Sequence, residues 1–273
     1  MPVEVPCGSC IGCRLERSRQ WAVRCHHEAS LYDSNCFVTL TYSDQQLPCP
    51  PSIAVRPLQL FIKRLRKKYG AGIRFFACGE YGQSGSRQWN PHYHLILFNH
   101  DFPDKKLWKE NKHGDHVYIS ESLQSLWQDQ GFTTTAGVTF QSAAYVSRYI
   151  MKKVTGEPAK DHYSWVDPET GEVLQLTPEF VTMSRRPGIG SGWYDKWSGD
   201  VFPDDFIIVD GKNMRPPKYY DKLLEAEDAR EHRKMKGKRT RGGKLHPEDQ
   251  TPERRKVREK VKQAQIKHLG REL

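Results

Sequence analysis

His92 and His94 stand two residues apart at the head of "NPHYHLILF", residues 90–98. On a strand, side chains two apart share a face, so both imidazoles point one way and Tyr93 points the other. Two imidazoles side by side can hold one metal ion. The same spacing also suits two ordinary polar residues bonded to backbone at a strand's start. A third ligand has an obvious source. "IRFFACGEYG" (73–82) reads as a strand ending in turn glycines, and residues 83–91 join it to the histidine strand as a hairpin. That pairing brings Glu80 near His92 and His94.

A second group lies in "SAAYVSRYIMKKV" (142–154), which reads as a helix. Tyr145 and Tyr149 are i and i+4, so they stack on one face. Lys152 lies on that face too, and Arg148 and Lys153 flank it. A tyrosine pair at this spacing is commonly half-buried packing.

A third group is cysteine-rich. Cys7, Cys10 and Cys13 form a C-x2-C-x2-C run, and Cys25 follows twelve residues later with His26 and His27 behind it. Four soft ligands can make a structural zinc site, although the second C-x2-C pair of a zinc ribbon is missing. The alternative is a cluster of reduced, partly buried thiols at the start of a helix. The chain's seven cysteines are an odd number, which argues against a disulfide framework.

The elements that must position these groups follow from periodicity and punctuation. Ile11, Leu15, Ala22, Cys25 and Ala29 recur at helical spacing from 11 to about 30. "NCFVTLTY" (35–42) is β-branched and aromatic, hence a sheet strand lining the floor of the site, with threonines that serve the sheet or touch DNA. Pro57 opens a helix that Gly70 stops, with Leu58, Phe61, Ile62, Leu65 and Tyr69 as its apolar stripe. Lys63, Arg64, Arg66, Lys67 and Lys68 cover much of its remainder, as a solvated face or one that meets phosphates. "SESLQSLWQDQG" (120–131) is a helix with a partial cap, "GVTFQ" (137–141) a strand, and "SWVDPETGEVLQL" a hairpin around Asp167–Gly171. "SRRPGIGSGWYDKW" reads as a glycine-rich turn cluster offering Arg185, Arg186 and Trp193 to a nucleic acid, or as loop packing. Helical segments at about 217–236 and 252–269 flank a "GKRTRGGK" linker, and this tail is expected to order on a partner.

The 273 residues carry a formal charge of +10. Residues 215–273 hold 19 Lys and Arg against 10 Asp and Glu, so this segment carries nearly all of the excess. A basic tail suits a polyanion such as nucleic acid. Mean hydropathy is −0.76, and no run approaches the roughly 20 apolar residues of a membrane helix. The start of the chain lacks the pattern of a signal peptide, so an intracellular protein that meets no membrane is expected.

Taken together and in this order, the blocks resemble the HUH endonucleases that start rolling-circle replication. They are more closely similar to the replication initiators of the gokushovirus group of microviruses. The resemblance rests on "CGSCIGCR", "CFVTLTY", "CGEYG", "PHYHLILF", "AAYVSRYIMKKV", "MSRRPGIGSGWYDK", "MRPPKYYD" and "TPERRKVRE". One departure is Tyr93, polar at its tip where the motif has an apolar residue. Another is that more sequence is expected ahead of the cysteine run.

The resemblance implies an α+β fold. In it an antiparallel sheet carries helices on one face, in the ferredoxin-like, split βαβ manner of the HUH nucleases. Such a domain would span 1–200, with a basic helical tail at 201–273. It implies metal-dependent nicking and rejoining of DNA by a tyrosine, with a 5′-phosphotyrosine intermediate. Tyr145, Tyr149 and Lys152 would be catalytic, and His92, His94 and Glu80 would hold magnesium or manganese. The implied partners are single-stranded circular phage DNA, its double-stranded replicative form, and a host helicase and DNA polymerase in the bacterial cytoplasm. A metal-dependent phosphodiesterase and a non-catalytic origin-binding protein are the alternatives, and neither has a use for the tyrosine–lysine face.

Overall fold

The structure is a computed structural model, and it describes residues 6–82, 89–111, 114–148, 153–154, 156–202, 204–245 and 247–268. The chain opens with helix α1 (Ile11–Ala29) and strand β1 (Asn35–Thr41). Helix α2 (Val55–Tyr69) follows, then the strands β2 (Arg74–Tyr81) and β3 (Pro91–Phe98). β1 and β2 both pair antiparallel with β3 and lie on either side of it, so β3 splits the β1–α2–β2 unit. Strands β4 (Lys106–Glu110) and β5 (His116–Ile119), helix α3 (Glu121–Trp127) and strand β6 (Thr133–Gly137) extend the sheet beyond β1. After helices α4 (Phe140–Arg148) and α5 (Pro158–His162) comes a hairpin of β7 (Ser164–Val166) and β8 (Val173–Gln175), where the Asp167–Gly171 turn is expected. Strand β9 (Phe180–Met183) closes the other edge, giving the order β4-β5-β6-β1-β3-β2-β9. Its strand pairs are antiparallel.

Helices flank both faces of this sheet, not one. The reason is visible in "HYHLILF", which is apolar on both sides of its alternation. Tyr93, Leu95 and Leu97 join Val38, Leu40, Leu58, Phe61, Leu65 and Trp127 in the core beneath α2 and α3. Ile96 and Phe98 join Phe76, Cys78, Cys25, Ala143 and Val146 beneath α1 and α4. In α2 the buried residues are Leu58, Phe61, Ile62 and Leu65, the i, i+3, i+4, i+7 stripe, each contributing roughly 1.5–3 kcal/mol of transfer free energy. The basic face of α2 is partly structural. Arg64 Nε donates to the Leu126 carbonyl at 2.8 Å and Arg66 Nε to the Ile73 carbonyl at 3.0 Å, while Lys63, Lys67 and Lys68 are exposed.

Three segments differ from expectation. The strand placed at 137–141 lies at Thr133–Gly137, where the β-branched Thr133, Thr134 and Thr135 pair with Leu40, Thr39 and Val38. Thr139 and Ser142 cap α4 reciprocally: the Ser142 N–H donates to Thr139 Oγ1 at 3.0 Å and the Thr139 N–H to Ser142 Oγ at 2.8 Å. "VTFQ" is therefore a helix start. Second, the glycine-rich turn gives way at Ser191 to helix α6 (Ser191–Val201). Third, beyond a short hairpin of β10 (Ile207–Val209) and β11 (Lys212–Met214), helix α7 (Lys218–Glu227) is followed by α8 (Ala229–Lys244), which runs through the expected linker. Arg239 holds it there, donating to Asp205 at 2.7 Å and to Asp221 at 2.8 Å. The last helix, α9 (Pro252–His268), is exposed along most of its length.

Val23, Tyr194, Val201, Phe202, Ile207, Val209, Tyr220, Leu224 and Met235 form a further core cluster. A division of the chain at 200/201 would pass through α6 and through this cluster. Among the described residues no helix is long and apolar enough to cross a membrane.

Candidate metal centre

In β2 and β3, Glu80 lies opposite His92 and Cys78 opposite His94. The even-numbered residues of both strands face α1 and α4, so all three candidate ligands share one face. Glu80 is 3% exposed. Its Oε1 lies 2.6 Å from His92 Nε2 and 3.0 Å from His94 Nε2. One ligand atom from each of the three residues falls within 4.8 Å of the others.

The remaining ring nitrogens are anchored. His92 Nδ1 lies 3.2 Å from the Asn90 carbonyl, and His94 Nδ1 lies 3.1 Å from Thr39 Oγ1. A carbonyl only accepts, so His92 Nδ1 carries the proton in that bond, and Nε2 donates to Glu80 in the charged ring or turns a lone pair toward it in the neutral one. Burial pushes the Glu80 carboxyl up, but the hydrogen bonds from His92 and His94, with their charge, outweigh burial and hold it well below the usual carboxylate range. Two imidazole nitrogens and one carboxylate oxygen, converging with second partners behind them, fit a divalent first-row ion such as manganese. Magnesium prefers an all-oxygen shell. The residues present therefore fit the expected cation.

The His92 side chain is 19% exposed and that of His94 8%, so the centre is more open beside His92. Above it stands α4. Ala143 and Val146 bury against the sheet, which turns Tyr145 toward the histidines. The Tyr145 ring is 5.6 Å from the His94 ring, with Phe37 6.2 Å away, and Tyr145 is 39% exposed. Tyr149 and Lys152 lie outside the described residues, as does the side chain of Arg148. Lys153 is exposed.

Arg185 and Arg186 are exposed on the turn before α6. Trp193 is not a free platform. It stacks on His27 at 3.6 Å between centroids and lies 5.7 Å from Tyr220. Of the four cysteines expected to form one set, Cys7, Cys10 and Cys13 converge, and Cys25 does not. Cys25 lies twelve residues along α1 from Cys13, about 18 Å at the helical rise. It is 0% exposed beside Phe76 and Cys78, where burial pushes its thiol far up and keeps it protonated.

Two features have no counterpart among the sequence expectations. Thr39 is a partner to His94 because the two residues pair directly across β1 and β3. The alternation of "FVTLTY" places Thr39 on the histidine face once that register is known. The other is an exposed aromatic pair. Trp108 on β4 and Phe132 are 46% and 48% exposed, 4.8 Å apart, with Lys109 Nζ 4.2 Å over Trp108. Phe132 sits at the histidine end of the sheet, since its carbonyl accepts from the Thr41 N–H at 3.1 Å and Thr41 pairs with His92.

Residues 35–154 match the family model described as replication-associated protein ORF2/G2P. That segment holds β1, the three candidate ligands and Tyr145. The chain is 34% identical over 236 residues to replication-associated protein ORF2 of Spiroplasma virus 4, covering 82% of this chain and 68% of that protein. It is 33% identical over 224 residues to replication-associated protein VP4 of Bdellovibrio phage phiMH2K, covering 79% and 65%. It is 31% identical over 157 residues to replication-associated protein ORF4 of Chlamydia phage 1, covering 55% and 38%. No solved structure matches the chain significantly. With the histidine–glutamate centre inside the matched segment, and relatives from three bacterial viruses aligned along it, the chain belongs to the phage replication-associated protein family.

Proposed function

We propose that this protein initiates phage DNA replication by cutting one DNA strand with a tyrosine and later rejoining it, within the ferredoxin-like architecture of the HUH nucleases. The observation that carries the reading is the Tyr145 ring standing 5.6 Å from that of His94, beside the Glu80–His92–His94 centre. A divalent cation held by those three residues would polarise the scissile phosphate. The rest is done by the chain's own groups. The Tyr145 oxygen attacks the phosphorus, the bond to the 3′ oxygen breaks, and that oxygen leaves as a 3′-hydroxyl that primes synthesis. The phenol gives up its proton as the tyrosine oxygen–phosphorus bond forms, leaving a 5′-phosphotyrosine. An ordinary phenol has a pKa of about 10, so it needs assistance. Lys152 is assigned that role, lowering the phenol pKa or holding charge on the phosphorane. Tyr149, one helical turn on in sequence, is assigned the second attack, on the regenerated origin, after which the new 3′-hydroxyl releases a circle. Arg148, Lys153, Arg185 and Arg186 are assigned to the DNA backbone. The DNA is the single-stranded circle and its double-stranded replicative form, met in the host cytoplasm with a helicase and a polymerase.

The test is incubation of the protein with manganese and an origin oligonucleotide, followed by denaturation and mass spectrometry. The expected product is a peptide carrying a covalent 5′-nucleotide on Tyr145 or Tyr149, with a free 3′-hydroxyl on the other fragment. Tyr145→Phe and Tyr149→Phe should each stall the cycle at a different step. Cut DNA with no protein attached would make the protein a hydrolytic phosphodiesterase. Binding without cutting would make it an origin-binding protein.

A further inference from the structure

Cys7, Cys10 and Cys13 lie at the other end of α1 from the cores that hold the catalytic face, and the function proposed above makes no use of them. Their sulfurs all fall within 4.8 Å of one another, and Cys7 Sγ lies 3.9 Å from Cys13 Sγ. Gly8, at φ +77°, turns the chain so that the loop folds back over the first turn of α1. The Cys10 N–H then points at Cys7 Sγ from 3.3 Å, and the Ser9 hydroxyl lies 3.6 Å from the same sulfur. Both donors are aimed at the Cys7 sulfur, an arrangement that suits a metal-bound thiolate.

Sulfur spacing discriminates between metal centres. Three thiolates on one tetrahedral ion with zinc–sulfur bonds of about 2.3 Å stand about 3.8 Å apart along each edge. The 3.9 Å separation of Cys7 and Cys13 sits on that value. An iron–sulfur cubane places each cysteine on its own iron and spreads the sulfurs further. The local charge is also matched. Zinc with three thiolates carries one net negative charge, favourable at a helix N-terminus. Cys10, the residue before the helix, makes no side-chain cap hydrogen bond, and the first turn holds no acidic residue. The Arg17 guanidinium reaches back to within 3.7 Å of where a side chain on Gly8 would begin.

We infer that Cys7, Cys10 and Cys13 bind a single zinc ion as a three-thiolate site, with the fourth position open to water or to an external oxygen or nitrogen donor. Cys7 and Cys10 are exposed, so that position faces solvent. The site pins the loop before α1 to the helix and replaces the missing cap. Cys25 is not part of it.

The experiment uses the full chain carrying His92→Ala and His94→Ala, so that the histidine–glutamate centre cannot contribute metal. It is purified under reducing conditions, and zinc is measured by elemental analysis. About one zinc per chain is expected, falling to near zero on Cys10→Ser and unchanged on Cys49→Ser, an exposed cysteine elsewhere. Cys25→Ala should also keep its zinc. Replacement of zinc by cobalt(II) should give the intense thiolate charge-transfer band and visible d–d bands of a tetrahedral sulfur-rich site. That readout needs no cysteine variant to fold. A chain with no zinc after reconstitution, zinc that survives Cys10→Ser, zinc lost with Cys25→Ala, a Cys7–Cys13 disulfide under reducing conditions, or acid-labile sulfide would each overturn the assignment. None of these readouts depends on DNA cleavage, so its failure would leave the replication reading standing.

Discussion

His92 Nε2 lies 2.6 Å from Glu80 Oε1, and both atoms are acceptors whenever the imidazole is neutral with its proton on the Asn90 side. Two acceptors at that distance repel unless a proton or a cation lies between them. Folding of the β2–β3 hairpin thus leaves between the two atoms a place that a proton or a divalent ion fills. Glu80→Gln removes the anionic member while keeping size and hydrogen bonding. Manganese affinity, measured by calorimetry on the full chain, should fall by more than the roughly 10–100-fold that loss of an outer partner costs. Undiminished affinity in Glu80→Gln would remove Glu80 from the ligand set.

Thr39 is such an outer partner. Its hydroxyl lies 3.1 Å from His94 Nδ1. Thr39→Val keeps the shape and the β-branched character that suits β1. Metal affinity should drop by about 10–100-fold with the far-ultraviolet spectrum unchanged. If affinity holds, His94 is oriented by packing against Phe37, whose ring is 5.7 Å from it, and not by the hydroxyl.

The convergence of Glu80, His92 and His94 was legible in the sequence because its two strands announce themselves. Strong apolar alternation fixes which residues share a face, and a short connection makes β2 and β3 neighbours, so Glu80 had to fall near His92 and His94. The sheet's far edge was not legible. "KLWKE" and "HVYI" are short and largely polar, and they are strands because β6 and β5 offer open edges to pair with. A lysine-bearing edge strand with no buried face leaves no periodic signal. Trp193 stayed open for a related reason. A tryptophan in a glycine-rich basic stretch reads as a stacking platform or as loop packing, and only the distant arrival of Tyr220 and His27 packs it against the second core cluster. The same holds for "GKRTRGGK", where Asp205 and Asp221 make a helix of a segment whose glycines disfavour one.

Gly131 shows how the fold protects the site. A Cβ there would lie 2.3 Å from the Thr41 carbonyl oxygen and 2.6 Å from the Ser43 nitrogen, both backbone atoms that no rotamer change can move. The Thr41 carbonyl also accepts from Trp127 Nε1 at 2.7 Å, so it is held from the other side. Gly131→Ala should destabilise the protein by about 1–3 kcal/mol, read as a lower urea midpoint. Because Thr41 pairs with His92, metal affinity should fall as well. Loss of stability with full metal affinity would show that the strain relaxes away from β1.

His27 sets part of the acid limit of the fold. It is 4% exposed, stacked on Trp193, with Nδ1 2.8 Å from the Tyr220 hydroxyl. Burial first, and then His26, pull its pKa from 6.5 down to about 3. The unfolded chain therefore takes a proton below pH 6.5 that the folded chain refuses. Stability contributed by neutral His27 is fully present above that pH and is lost as pH falls toward 3, at about 1.4 kcal/mol per pH unit. Between pH 6.5 and 5, before carboxylates titrate, the fall in unfolding free energy should flatten in His27→Gln by about that slope. His100, also buried and lowered, acts in the same direction. An unchanged slope in His27→Gln would mean that the His27 ring titrates alike in both states.

Two tryptophans should separate binding from folding. Trp108 is exposed beside Phe132 and under Lys109, at the sheet end that carries His92, whereas Trp193 is packed against His27 and Tyr220. Base stacking on an exposed aromatic is worth about 1–3 kcal/mol per base and is indifferent to sequence. Trp108→Ala should therefore weaken binding of single-stranded oligonucleotides by that amount, across sequences, with little change in the thermal midpoint. Trp193→Ala should do the reverse, lowering the midpoint while leaving affinity at permissive temperature close to wild type. Arg185→Ala with Arg186→Ala supplies the electrostatic control. It should weaken binding evenly and reduce the slope of log affinity against log salt by roughly 0.7 for each phosphate no longer neutralised. If Trp108→Ala binds as wild type while the arginine variant does not, the strand runs over the Arg185–Arg186 turn and away from β4.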